Sequence, residues 1–272
     1  MRIVTLVEND TENSKLNAAH GLCLYIETMH KKILFDLGPN NYYIKNAKKL
    51  GIDISKIDVL LISHGHNDHG SGLAKFMKLN KTAKIYVSKH VFEKHIKQSE
   101  QDIINIGIKK PMRDERLIYI DKNYKIDDEL SIISEVVFTK QVITDNKLKK
   151  YVKGRYIEDD FNHEIYLVIK EFDTNVLVTG CSHKGIENIV SSIETSRHLE
   201  LTHVIGGYHF NHYDSFNFQQ VDYLNELGKK FSKKAKTTFY SCHCTGDEAF
   251  FELKRNMKDK IKRLKTGTEI NI

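Results

Sequence analysis

Ser63-His64-Gly65-His66-Asn67-Asp68-His69-Gly70 places three imidazoles and a carboxylate in one short turn, directly after the apolar run Ile57 to Ile62. Neutral imidazole is the commonest protein ligand for zinc and its neighbours, and an adjacent carboxylate adds charge and a hard oxygen. The apolar run reads as a buried strand, so the stretch is a set of metal ligands laid at a strand end. A turn built on Gly65 and Gly70 aims His64 and His66 at one ion and Asp68 and His69 at a second. The competing reading is a solvated polar turn, which four ligand-type side chains in so short a stretch disfavour.

Working outward, Arg2 to Val7, Gly21 to Glu27 and Lys32 to Asp36 read as strands, and Asn9 and His20 sit in loops that reach the same strand ends. Asn40 to Leu50 has helical spacing and stops at Gly51, Gly72 to Leu79 is a second helix, and Lys84 to Val87 is a strand. Lys89 to Gln98 reads as an amphipathic surface helix, in which His90 and His95 do not share a face. Glu100 to Arg116 has weak periodicity, broken by Gly107 and Pro111. Strands return at Leu117 to Ile120 and Leu130 to Val137. The polar, Lys-rich Val142 to Glu158 reads as an excursion over the site's edge, where Tyr151, Lys153 and Arg155 are candidates to meet an anion, a solvated loop being the favoured alternative. Ile165 to Ile169 and Asn175 to Thr179 form a hairpin that ends on Gly180-Cys181-Ser182-His183, mirroring the arrangement at His64. After a helix at Ile186 to Ser196, Thr202 to Ile205 leads into Gly206-Gly207-Tyr208-His209. A helix from Phe218 to Leu227 follows, and Thr238 to Ser241 leads into Cys242-His243-Cys244.

At 272 residues, with no Pro- or Ser-rich linker, the chain reads as one domain over 1–272. A hydrophobic fraction of 40% with 13 Tyr and 13 Phe is enough for a sizeable core. No apolar run is long enough to span a membrane, and the first residues run into a strand pattern where a signal peptide would show a charged start and an apolar stretch. Four cysteines without disulfide-framework spacing fit a reducing cytoplasm. The net charge of +6 favours small anionic partners only mildly, and no aromatic-interleaved basic platform or helix-turn-helix points to nucleic acid.

The H-x-H-x-D-H stretch after an apolar strand, with Phe35-Asp36-Leu37-Gly38 before it, resembles the metallo-β-lactamase-fold hydrolase superfamily. Gly180 to Ile186, Gly206 to Phe210 and His243 to Gly246 extend the resemblance to a subgroup that includes dihydropterin and ribofuranosylaminobenzene phosphate condensing enzymes. The resemblance runs over about residues 1 to 270 and implies a four-layered αββα sandwich of the α/β class. It also implies a substrate-covering insertion at about residues 90–116, with residues 95 to 116 in the pocket wall.

By the family's pattern His64, His66 and His183 hold one divalent ion and Asp68, His69 and His243 a second, zinc being expected and iron or manganese equally suited to the donors. Members of the superfamily usually end the hairpin strand with Gly-Asp, whose carboxylate joins both ions; here the strand ends Gly180-Cys181. Cys181 is then either a thiolate ligand or a small buried filler. In the second case Glu164 supplies the carboxylate, and His163 or Glu164 replaces His183. Asp36 is expected to orient a ligand imidazole, and Asp68 and His209 to take part in the chemistry. Asn9, His20, Glu164, Thr245 and Gly246 are candidate substrate contacts. Paired ions lower the pKa of a water from 15.7 towards about 7, so the expectation is a dinuclear hydrolase of a small anionic ester or phosphoester. A transferase condensing a pterin-like diphosphate with an aromatic acceptor, and a non-catalytic binder of metal or ligand, are the alternatives.

Overall fold

The computed structural model of the chain describes residues 1–140, 147–210 and 218–272. Three sheets carry the fold. The first contains β1 (Arg2–Val7), β2 (Cys23–Glu27), β3 (Lys32–Phe35), β4 (Val59–Ile62), β5 (Lys84–Ser88), β8 (Leu117–Ile120) and β18 (Glu269–Asn271), in the order β18-β1-β2-β3-β4-β5-β8. The second contains β9 (Tyr124–Lys125), β10 (Leu130–Ile133), β13 (Tyr166–Glu171), β14 (Thr174–Val178), β15 (His203–Gly206), β16 (Thr238–Ser241) and β17 (Ile261–Arg263), in the order β17-β16-β15-β14-β13-β10-β9. The third is small, β12-β11-β6-β7, built from β6 (His95–Gln98), β7 (Ile103–Asn105), β11 (Leu148–Val152) and β12 (Arg155–Glu158).

Helices α1 (Tyr42–Lys49), α2 (Asn67–Gly70) and α3 (Leu73–Leu79) belong to the first half, and α4 (Ile186–Arg197), α5 (Phe218–Ser232) and α6 (Asp247–Met257) to the second. The buried side chains sort into three cores. Leu24, Phe35 and Leu61 of the first sheet meet Leu167, Val178 and Ile205 of the second. Outside them, Tyr43, Ala47 and Phe76 cover the other face of the first sheet, and Ile189, Leu227 and Leu253 that of the second. A strand buried on both faces must be apolar throughout, which is why Val59 to Ile62 is continuous and does not alternate. Three cores between four layers make the αββα sandwich.

Strands β3 and β4 are parallel, as are β14, β15 and β16. Their carboxyl ends lie on one edge of the sandwich, the usual place for a site in sheets of this kind. Asp36 follows β3, Ser63 follows β4, Cys181 and His183 follow β14, Gly207 to His209 follow β15, and His243 follows β16. The two sheets close on one another at that edge: Ile165 N–H donates to Ser63 O at 2.7 Å. A Cβ on Gly180 would lie 2.2 Å from Ser63 Oγ, so only glycine lets β14 end so near the His64 turn.

Two expectations need correction. The helix expected over Lys89 to Gln98 is a pair of turns followed by strand β6, because Ile96 pairs with Lys149 on β11 and with Asn105 on β7. A local reading of periodicity cannot see a partner strand that arrives fifty positions later. Likewise the described part of the Val142 to Glu158 excursion is a β-hairpin, turned on Lys153 (φ 47°) and Gly154 (φ 91°), both left-handed as a two-residue hairpin loop requires. Residues 142–146 of that segment lie outside the described residues.

Candidate metal centre

Four side chains converge at the edge. His69 Nε2 lies 3.2 Å from His243 Nε2, 3.2 Å from Cys181 Sγ and 3.6 Å from Asp68 Oδ2, and His243 Nε2 is 3.3 Å from Asp68 Oδ2. Ligands about 2.0–2.1 Å from a tetrahedral ion stand about 3.3 Å from one another, so the spacing is that of a first coordination shell. Their outer atoms fix the tautomers. His69 Nδ1 donates to Asp36 Oδ2 at 2.7 Å, and His243 Nδ1 donates to Asn9 Oδ1 at 2.8 Å. The two Nε2 atoms therefore face each other, an arrangement that a cation or a proton held between them makes favourable. Burial disfavours a charged His69, yet Asp68 and Asp36 outweigh it and push the group up to about 9. In Asp68 burial pushes upward too, but His69 and His243 hold the carboxyl well below its usual range. The pocket is built for positive charge.

Beside this set lie His64, His66 and His183, whose nitrogens come within 4.8 Å of one another. His64 Nε2, His66 Nε2 and both nitrogens of His183 are buried without a hydrogen-bond partner among the described residues. Burial first, and the neighbouring imidazoles second, keep all three well below the ordinary histidine range, hence neutral and able to donate a lone pair. His64 Nδ1 lies 2.8 Å from Ser63 Oγ, which donates to Asp36 Oδ2 at 2.7 Å; Ser63 N–H donates to Asp36 Oδ1 at 2.7 Å. One buried carboxylate thus orients an imidazole in each cluster.

The alternatives at Glu164 and His163 resolve by their partners. Glu164 Oε1 accepts His183 N–H at 2.8 Å, and Oε2 accepts Lys184 N–H at 3.1 Å and the Tyr166 hydroxyl at 2.5 Å. It fixes the backbone that carries His183, and neither a bridging carboxylate nor a substrate contact is left to it. His163 Nδ1 accepts Gly65 N–H at 2.9 Å, so its proton sits on Nε2, 3.4 Å from Asp159 Oδ2. The same Asp159 oxygen accepts His95 Nδ1–H at 2.7 Å. His95, expected on a surface helix, is fully buried and ties the small sheet to the ligand turn.

Several weaker expectations change place. Asn9 holds His243 and accepts Gly21 N–H at 3.2 Å, so it orients a donor set and makes no evident substrate contact. Thr245 Oγ1 accepts Tyr208 N–H at 3.0 Å and the Ser241 hydroxyl at 2.7 Å, and Gly246 (φ 74°) begins α6; neither lines the pocket. His20 does line it, with Nε2 3.5 Å from Asp68 Oδ2, and His209 lines it beside His183, their ring centroids 4.1 Å apart. Tyr151 packs edge-to-face against Tyr156 and does not line the pocket, and Lys153 and Arg155 are exposed.

Unforeseen are Glu8, whose Oε1 accepts His243 N–H at 2.7 Å, and Cys244, whose Sγ accepts His209 N–H at 3.3 Å within the pocket wall. Glu8 has the signal that Asp36 has, a carboxylate just past a strand. Asp36 (φ 61°), Ser182 (φ 58°), His209 (φ 52°) and His243 (φ 50°) are all left-handed without being glycine, a conformation that costs about 1–3 kcal/mol each. Such strain gathers at sites whose surroundings overdetermine it.

The pocket above the two clusters holds about 320 Å³ and is walled by Lys97, Ile104, Ile106 and Leu148 of the small sheet and its margin. That sheet is laced to the ligand turn: Asn67 N–H donates to Ile106 O at 2.7 Å, and Ile108 N–H to Gly65 O at 3.1 Å.

The model of the metallo-β-lactamase superfamily matches residues 16–243. The chain belongs to that superfamily. A relative from Methanocaldococcus jannaschii, 7,8-dihydropterin-6-methyl-4-(β-D-ribofuranosyl)-aminobenzene-5'-phosphate synthase, is 29% identical over 98% of this chain and 95% of its own. An uncharacterised protein from the same organism is also 29% identical, over 92% and 93%. Among solved structures Tm1679, a metal-dependent hydrolase of the β-lactamase superfamily, superposes with a TM-score of 0.82 at 25% identity, covering 100% of this chain and 99% of that one. Human tRNase Z, short form, with a TM-score of 0.54 at 13% identity over 100% and 99%, shares the metallo-β-lactamase fold alone. The donor types suit the divalent ions that superfamily members bind: imidazole nitrogen, carboxylate oxygen and one thiol.

Proposed function

We propose that this chain is a metal-dependent hydrolase of a small anionic ester or phosphoester. His64, His66 and His183 would hold one divalent ion, and Asp68, His69, His243 and Cys181 a second. Paired ions supply Lewis acidity and a nucleophilic water at neutral pH. The thiol favours zinc or iron over harder ions. The observation that carries the reading is the convergence of His69 and His243, each with its outer nitrogen already committed, on one carboxylate and one thiol. Asp36, Asn9 and Glu8 keep those donors in place, while His209 and His20 stand at the pocket wall in reach of a substrate's leaving group. Four buried, unpaired cysteines support the cytoplasm as its compartment, and no helix among the described residues is long and apolar enough to cross a membrane.

The test is elemental analysis of protein prepared without chelator, beside turnover on p-nitrophenyl esters and phosphates, for wild type and Asp68→Ala. We expect about two ions per chain falling to about one, with loss of turnover. Metal content unchanged by the substitution would overturn the assignment.

A transferase is the second reading, supported by the name of the 29% identical synthase. It would use the same donors to bind an anionic leaving group instead of preparing a water. Release of pyrophosphate from a pterin-like diphosphate only when an aromatic acceptor is present would favour it over hydrolysis.

A further inference from the structure

The small sheet turns one face to the pocket, and its register says which side chains stand there. Leu148 pairs with Lys97, and Lys97 with Ile104, across three adjacent strands. Residues directly opposite one another share a face, so the three form a row, and all three line the pocket with Ile106. Strand β6 is interior to its sheet. The row runs from buried Leu148 out to exposed Lys97 and Ile104, which places the ammonium at the mouth of the pocket between two apolar side chains. Among the described residues Lys97 is the only lysine or arginine lining this pocket, and it makes no ion pair or hydrogen bond with another described residue.

We propose that Lys97, flanked by Ile104, Ile106 and Leu148, is a recognition subsite for the part of the substrate that is not cleaved: an anionic group carried on an apolar or aromatic body. This rests on the reading of the pocket as a substrate site. Lys97 and Ile104 are exposed at the mouth of the pocket, with Leu148 buried beside them, so a bound apolar body would cover the ammonium and strengthen its attraction for the anion that body carries. The apolar side chains remove that body from water. With the donor clusters opposite, a substrate would be held at both ends, which fixes the orientation of the reacting bond.

The probe is 8-anilinonaphthalene-1-sulfonate against N-phenyl-1-naphthylamine, the same aromatic body with and without an anionic group, titrated by fluorescence into zinc-supplemented protein. Wild type, Lys97→Met, which keeps an apolar stem of similar length, and Lys97→Glu are compared. We expect the sulfonate dye to bind about tenfold more weakly to Lys97→Met and more weakly still to Lys97→Glu, with the neutral dye bound alike by all three. Equal binding of the sulfonate dye by the three proteins overturns the subsite. Equal weakening of both dyes also overturns it, since the loss would then lie in the wall and not in the charge. Dye binding needs no turnover, so a protein inactive on every ester would sink the hydrolase reading while leaving this result to stand or fall by itself.

Discussion

Asp36 shows how much one buried side chain carries. It takes three donors, Ser63 N–H, Ser63 Oγ–H and His69 Nδ1–H, and through Ser63 it reaches His64. In Asp36→Asn one oxygen becomes an NH2 facing groups that also donate, so the imidazoles lose their orientation. We expect metal affinity to fall about 10–100-fold, read by competition with a chromogenic chelator; affinity unchanged within twofold would remove the orienting role. Gly180→Ala tests the close approach of the two sheets. A methyl 2.2 Å from Ser63 Oγ forces Ser63 and the strand end that carries it to shift, and we expect a loss of about 1–3 kcal/mol in urea unfolding. Residues of this kind differ in how visible they are in sequence. His64, His66, Asp68 and His69 are legible because their spacing alone is chemically unusual. Glu8 and Asn9 are not, because their meaning depends on His243, to which Glu8 bonds across 235 positions. Cys181 was legible as a departure from the usual carboxylate, but only its distance of 3.2 Å from His69 Nε2 favours donor over filler.

At the scale of elements, Asp159 joins two of them. It follows β12, takes His95 of β6 and His163 ahead of β13, and accepts Phe161 N–H at 2.8 Å, while His163 receives Gly65 N–H. Burial opposes the charged carboxyl, and the two histidines still hold it well below its usual range. Asp159→Ala leaves buried donors unsatisfied, at about 1–3 kcal/mol each, and releases the small sheet from the ligand turn. Hydrogen exchange should then quicken at the Asn67 and Ile108 amides, which bond across that junction, before it quickens in β4. Uniform acceleration through the chain would instead mean general unfolding. The parallel strands were readable from apolar runs ending in ligands, whereas β6 was not, because its pairing with β11 is non-local and its buried His95 looks like a surface residue in a linear reading. The Lys153-Gly154 turn did leave a signal in its glycine.

For the whole molecule, the buried imidazoles set a dependence on pH. Unfolded histidines titrate near about 6.5; in the folded chain burial keeps His64, His66 and His183 well below that, and His163 at about 4. Between pH 5 and 6.5 the unfolded state therefore binds more protons, so stability rises with pH, by on the order of 1.4 kcal/mol per unit for each such group. Glu8 and Glu164, raised by burial, act in the opposite sense but are outnumbered. His69, raised to about 9, contributes stability that is complete below pH 6.5 and is lost as pH climbs through 9. Urea unfolding of the metal-free protein should thus give its highest midpoint near neutrality; a midpoint flat from pH 5 to 7 would contradict the buried neutral cluster. The four-layer architecture was legible because two halves each send strands to a ligand-bearing edge.

That edge draws on both ends of the chain, with consequences during synthesis. His64 and His66 emerge early, but His69 must wait for His243, 174 positions later. In chain order His64, His66 and His183 all precede β15 and β16, whereas the cluster of Asp68, His69 and His243 closes only when β16 has arrived beside β15. Ions would then load in a fixed order, and a ribosome stalled before residue 243 would expose a half-built site to whatever soft metal is at hand.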